Sequence, residues 1–227
     1  MSVKNMKHMI TLSLNVALTL TVISGVTLNL GCRPDSGPDD YASQEIIPDA
    51  AVPLEIPLED GEERFSLGVF YEGPFTEEVV IDDVSAHLYI YESTFSLSAV
   101  NADRVEGVSA DRVRHAGGPW WGGGIHWEAP RDLSRWEMLH LSLKSSAESY
   151  ERLEVAMNNS DTAQAKLSLS SYDWRVDGAW HNLEIPIQDF AEAGLDLTSV
   201  VAPLVIIGGS GDDGDELLID AVYLSLR

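Results

Sequence analysis

The chain has 227 residues, with 14 Lys and Arg against 37 Asp and Glu and a formal charge of −23. Beyond residue 31 the balance is 12 basic to 37 acidic, a net −25. A body this acidic repels phosphate backbones and anionic lipid headgroups, which argues against nucleic acid or a charged membrane surface as partner. The charge does not imply disorder. Hydrophobic residues make up 44%, with 6 Trp, 7 Tyr and 5 Phe, enough apolar surface for one large sandwich.

Lys4, Lys7 and His8 precede an apolar run from Met9 to Leu30, the order of an export signal. The single cysteine, Cys32, follows Gly31. The stretch Leu28-Asn29-Leu30-Gly31-Cys32 resembles a bacterial lipoprotein processing site, with Asn29 where that family prefers an aliphatic residue. The resemblance implies removal of residues 1–31 and lipidation of Cys32. Plain secretion and an uncleaved apolar anchor are the alternatives. One cysteine permits no internal disulfide and no Cys-based metal or redox site. Residues 32–53, rich in Pro, Asp, Ser and Ala, read as a flexible acidic tether. The expected location is the bacterial cell envelope, as an outer-membrane or surface lipoprotein touching the membrane only through its anchor.

From residue 54 the apolar residues come in short runs, such as Phe65 to Tyr71, Val79 to Val84, His87 to Tyr91, Leu153 to Met157 and Val200 to Ile207. Leu139-His140-Leu141-Ser142-Leu143 alternates, placing its leucines on one face. Gly, Asn, Asp and Pro break the runs. This pattern predicts an all-β sandwich. The only helical candidate is a turn at 189–193. A partial echo is also visible. Residues 54–60 match 183–189, and 78–84 match 216–222. Either 54–87 is a β segment packed beside the sandwich as part of a repeat, or acidic strand edges merely look alike.

Residues 88–227 resemble the galactose-binding-like jelly rolls, the β-sandwich of many non-catalytic carbohydrate-binding modules of bacterial polysaccharide-degrading enzymes. Five pieces carry the resemblance in order. They are Leu88-Tyr89-Ile90-Tyr91-Glu92, Trp120-Trp121-Gly122-Gly123-Gly124-Ile125, Asp132-Leu133-Ser134-Arg135-Trp136-Glu137-Met138-Leu139, the 177–187 segment around Trp180, and Ile219-Asp220-Ala221-Val222-Tyr223. It implies a jelly-roll domain at 88–227, to which the echo adds an extra N-terminal β segment at 54–87. It also implies a structural Ca²⁺ held by Glu92 and Asp220, since that cation wants several hard oxygens. Ala221 stands where the family often has a second acid. The acidic 212–216 loop lacks the pattern of a helix-loop-helix calcium site. A solvated acidic turn is the alternative for both clusters.

Trp136 and Trp180 fall at positions that pack the core in the family. Trp121 and Trp127 share a strand parity and point inward together. Trp120, Tyr172 and Trp174 are candidates for an aromatic platform, because sugars lay apolar C–H faces on aromatic rings. Asn158, Asn159, Arg175 and Asp177 could read the hydroxyls. Tyr172 and Trp174 could equally be ordinary sheet residues. Catalysis finds little support. Gly208-Gly209-Ser210-Gly211-Asp212 misses the nucleophile-elbow pattern, no zinc-protease or P-loop motif occurs, and the histidines show no metal spacing. The expected function is binding of a polysaccharide or glycan at the cell surface without catalysis. The rivals are a structural adaptor that binds another envelope protein and, more remotely, a glycan hydrolase or lyase.

Overall fold

The computed structural model describes residues 56–67, 70–75, 77–78, 86–159 and 163–226. The expected signal, Cys32 and tether therefore lie outside the described residues. The described chain runs β1 (Glu63–Ser66), β2 (Glu77–Glu78), β3 (Ala86–Ile90), β4 (Phe95–Val100), β5 (Ala110–Gly118), β6 (Trp121–Trp127) and β7 (Met138–Lys144). It continues through β8 (Glu154–Asn159), β9 (Gln164–Ser168), β10 (His181–Pro186), α1 (Ile187–Glu192), β11 (Val200–Gly208) and β12 (Gly211–Leu226).

Among the described residues these strands form two sheets. One has five strands in the order β3-β6-β11-β8-β9, all antiparallel. The other has seven, ordered β10-β7-β12-β1-β2, with β5 pairing β12 and β4. β1 pairs antiparallel with the end of β12, and β2 runs parallel to β1. β1 and β2 thus extend the larger sheet.

Period-two alternation puts one face of each sheet into a shared core. Leu139, Leu141 and Leu143 of β7 are all buried, as the sequence pattern predicts. On the opposed sheet Trp121 meets Phe95 of β4 edge-on at 5.4 Å, and Trp127 meets Phe65 of β1 at 5.9 Å. Such fully buried side chains each contribute about 1.5–3 kcal/mol relative to exposure. The aromatic pairs therefore fasten one sheet to the other.

Three expectations are adjusted. The helical turn begins at Ile187, two residues before the stretch singled out. Trp136 is buried as expected, but Trp180 is only half-buried, and its indole N–H donates to Asp103 Oδ1 at 2.8 Å. In the described part of the echo, Ile56–Glu59 forms no strand, whereas 185–188 runs from β10 into α1. The carbonyls of Ile56 and Pro57 accept from Arg64 instead of from a ladder. Residues 54–55 and 79–84 of the echo lie outside the described residues.

Candidate binding face

The five-stranded sheet turns its second face away from the core, and strand register fixes what stands there. One outer row runs Tyr89, Gly124, Val205, Ala156 and Lys166 across β3, β6, β11, β8 and β9. The row beside it runs Gly122, Ile207, Glu154 and Ser168. On the other side lie His87 opposite His126, and Ala202 opposite Asn158 opposite Gln164. Rows between these point inward, for example Ile90, Gly123, Ile206, Val155 and Leu167.

The face has three zones. Along β3 it is aromatic. Tyr89 is 36% exposed and meets His126 edge-on at 5.6 Å. Tyr91, just past the strand, lies 6.5 Å from Trp120. Burial pushes the Tyr91 hydroxyl above its usual pKa, with Tyr89 adding to the effect. The middle is low. Gly122 and Gly124 carry no side chain, and Ala156, Ala202 and Val205 form a small buried cluster against Tyr91 and Ile207. Along β8 and β9 it is polar, with Lys166 approaching Glu154 at 3.8 Å and Asn158 next to Gln164 in register. An aromatic bank, a floor of small residues and a polar bank together suit a ligand with apolar C–H faces and hydroxyl edges.

The glycines are required by packing. A Cβ at Gly122 would stand 3.2 Å from the Tyr91 ring and 3.3 Å from the Trp120 ring, so both rings close over it. A Cβ at Gly124 would stand 2.1 Å from the Leu204 carbonyl oxygen, which only glycine avoids.

Of the residues expected to bind ligand, the structure brings Trp120 and Asn158 to this face. Three others stand elsewhere. Trp174 is a core residue, 4% exposed, whose indole N–H donates to the Tyr150 carbonyl at 2.7 Å and so can be buried without cost to that group. Tyr172 packs against the core and donates to Asp189 Oδ2 at 2.6 Å, anchoring the β9–β10 connection on α1. Arg175 is exposed in that connection beside Asp173 at 3.4 Å. Asn159 and Asp177 hold local turns, accepting from the amides of Ala163 and Ala179. Tyr89, Tyr91 and the two glycines were missed. Their signal was the shared parity of Tyr89 and Tyr91 in Leu88-Tyr89-Ile90-Tyr91.

The structure does not bring Glu92 and Asp220 together. Glu92 is exposed in the turn after β3, on the side of the five-stranded sheet, with φ of 51°. Asp220 is 2% exposed within β12 of the other sheet. Its carboxylate accepts from the amides of Val105, Glu106 and Ala221, which tie the 101–109 loop to the sheet. Glu106, fully buried, accepts from the Glu72 amide at 2.6 Å, while Glu72 accepts from the amides of Val108 and Ser109. Burial, with Asp220 and Glu72 nearby, pushes Glu106 up to about 7 and Asp111 up to about 6. Burial also raises Asp220 despite its three amide donors. Among the described residues no group of three or more His, Cys, Asp or Glu is arranged to hold a metal ion. The expected Glu92–Asp220 calcium pair does not fit this placement. The acidic 212–216 stretch lies within β12, where Glu216 approaches Arg112 at 3.4 Å.

The two-sheet sandwich is that of a non-catalytic carbohydrate-binding module. Residues 77–225, well over half of the chain, match the family described as carbohydrate binding domain 30, and the chain belongs to that family. The match starts within the segment that the sequence reading set apart as 54–87. Among solved structures the chain is similar to a family 30 carbohydrate-binding module, at 16% identity and TM-score 0.47, over 58% of this chain and 76% of that one. It is similar to the family 30 module of a cellulosomal cellulase of Clostridium thermocellum, at 14% identity and TM-score 0.47, over 61% and 90%. A family 11 module from Clostridium thermocellum, solved with a β-1,3-1,4-mixed-linked tetrasaccharide, is similar at 17% identity and TM-score 0.42, over 61% and 87%. No curated protein matches the chain.

Proposed function

We propose that this protein is exported, anchored through a lipid on Cys32, and binds a neutral polysaccharide along the outer face of its five-stranded sheet. The observation that carries the binding reading is the aromatic bank of Tyr89, Tyr91 and Trp120 beside the side-chain-free positions Gly122 and Gly124. Pyranose rings stack on the aromatic bank, and Asn158, Gln164 and Lys166 reach hydroxyls from the far side. Neutral chains are favoured over polyuronates or sulfated glycans, because a net charge of −23 repels polyanions. A neutral β-glucan suits this face. The role of the export signal is to place the face outside the cell.

Affinity gel electrophoresis against soluble neutral and anionic polysaccharides tests this directly. Retardation by at least one neutral glycan, clearly weakened in Tyr89→Ala, is the expected result. A folded protein that no glycan retards would overturn the reading in favour of an adaptor for another envelope protein. Metabolic labelling with a palmitate analogue, compared between the native chain and Cys32→Ser, tests the anchor. Equal labelling of the two would remove it.

A further inference from the structure

A cavity of about 340 Å³ lies on the opposite side of the molecule, between the outer face of the seven-stranded sheet and the Ile56–Glu62 segment that crosses it. It shares no residue with the aromatic face, and its size falls within the range of about 300–1,000 Å³ typical of small-molecule sites. Its chemistry is unlike that face.

The cavity offers little to an anion. Arg64, 3% exposed, has every N–H placed. Nε and one Nη2 hydrogen go to the Glu62 carboxylate at 2.7 and 2.8 Å, the other Nη2 hydrogen to the Pro57 carbonyl, and Nη1 to the Ile56 carbonyl and Tyr71 Oη. It offers little stacking surface to a sugar either. The Tyr223 ring is covered by the Arg64 guanidinium at 4.7 Å and by the His140 ring, stacked at 4.4 Å and 11°.

What remains, beside the Asn182 amide N–H groups, is acceptor capacity. Arg64 neutralises Glu62, whose carboxyl is held below its usual pKa by that bond and the Glu59 amide against the cost of burial. Among the described residues the Glu184 carboxylate, 56% exposed, has a 4.0 Å approach from His140 Nδ1 and no closer donor. The Glu59 carboxylate has no donor among the described residues. Among the described residues, neither of these two carboxylates at the mouth of a shaped cavity pairs with an Arg or Lys, in a protein whose overall field already concentrates cations.

We propose that this cavity binds a small organic cation, a protonated primary amine or a guanidinium, whose N–H groups donate to Glu59 and Glu184. The ligand is either a free amine or the basic side chain of another protein. The assignment is independent of the polysaccharide reading.

Calorimetry on the full chain, with n-butylammonium, n-butylguanidinium and a blocked Gly-Arg-Gly peptide as probes, tests it. At least one probe should bind in the millimolar range or better. Affinity should fall about tenfold in Glu184→Gln and further in Glu59→Gln/Glu184→Gln. It should also weaken several-fold between about 20 and about 500 mM salt, as a partly exposed ion pair does. Tyr89→Ala should leave it unchanged. A tighter peptide assigns the site to a protein partner, and a tighter free cation assigns it to a small amine. No binding of any probe, or binding unaltered by the double substitution with folding intact, would overturn the proposal. So would displacement of the cation by glucose or cellobiose.

Discussion

On the five-stranded sheet the outer positions Tyr89, Gly124, Val205, Ala156 and Lys166 form one row whose two ends are exposed and whose small middle members lie buried against Tyr91 and Ile207, whereas the outer positions His140, Ser142 and Tyr223 of the seven-stranded sheet lie beneath the Ile56–Glu62 segment. The same two-residue alternation builds both faces. What differs is the cover. On the larger sheet the extra N-terminal strand brings Arg64 over Tyr223 and uses the guanidinium to hold two carbonyls and a carboxylate. Its outer polar groups are thereby mostly satisfied within the chain. On the smaller sheet aromatic area stays open beside a floor of glycines, the arrangement that gains most from a ligand. A polar outer face that is covered has become structure. An aromatic one that is open is the place to look for binding.

The largest expected effect separates the two glycines of the floor. Gly124→Ala must push the Leu204 carbonyl away and should cost about 3 kcal/mol or more of stability in urea unfolding. Gly122→Ala presses on the edges of two rings and meets the Ile206 carbonyl at an ordinary contact distance of 3.4 Å, so it should cost less than about 1 kcal/mol yet weaken polysaccharide binding several-fold by displacing Tyr91 and Trp120. Equal stability losses would break the distinction between a structural glycine and a glycine of the floor.

The next effect belongs to the buried acids behind the larger sheet. Glu106 and Asp111 hold protons in the folded chain up to about pH 7 and 6, whereas the unfolded chain releases them near pH 4. Folding therefore takes up protons between these limits, and stability should fall as pH rises from about 4.5 to 7.5. The loss should amount to a few kcal/mol, and Glu106→Gln should flatten about half of it. Stability that rises over this window would contradict the assignment. Polysaccharide affinity at the other sheet should change little over the same range.

Smaller still is Trp174→Phe. It leaves the Tyr150 carbonyl without its indole donor and should cost about 1–2 kcal/mol while leaving glycan retardation intact. A specific loss of binding in this variant, with folding preserved, would move the site toward the β9–β10 connection.

These residues also show how far the sequence could be read. The alternation of Leu139, Leu141 and Leu143, and the shared parity of Trp121 and Trp127, announced a sandwich and the inward faces correctly, because burial on one face writes directly into a period of two. Trp120 and Asn158 stand on the outer face of the smaller sheet. Trp174 does not, because it sits in an irregular connection where no period says which way a ring points. Tyr89 and Tyr91 share a parity, but the face they form depends on Gly124 standing opposite Tyr89 and on Gly122 lying under the Tyr91 ring. That is a fact of register between strands about 35 residues apart in sequence. Asp220 looked like half of a cation site from its place in the last strand. Its partners are backbone amides of a loop more than 100 residues earlier, which no linear spacing reveals.

The central claim is that polysaccharide binds the open face of the smaller sheet and not the covered face of the larger one. It is tested most directly by calorimetric titration of one retained soluble glycan into the native chain, Tyr89→Ala/Trp120→Ala and Glu184→Gln. Each aromatic removed should weaken binding about tenfold, or about 1.4 kcal/mol, so the double variant should lose about a hundredfold, while Glu184→Gln matches the native chain. Native affinity in the double variant, or loss of affinity only in Glu184→Gln, would contradict the account.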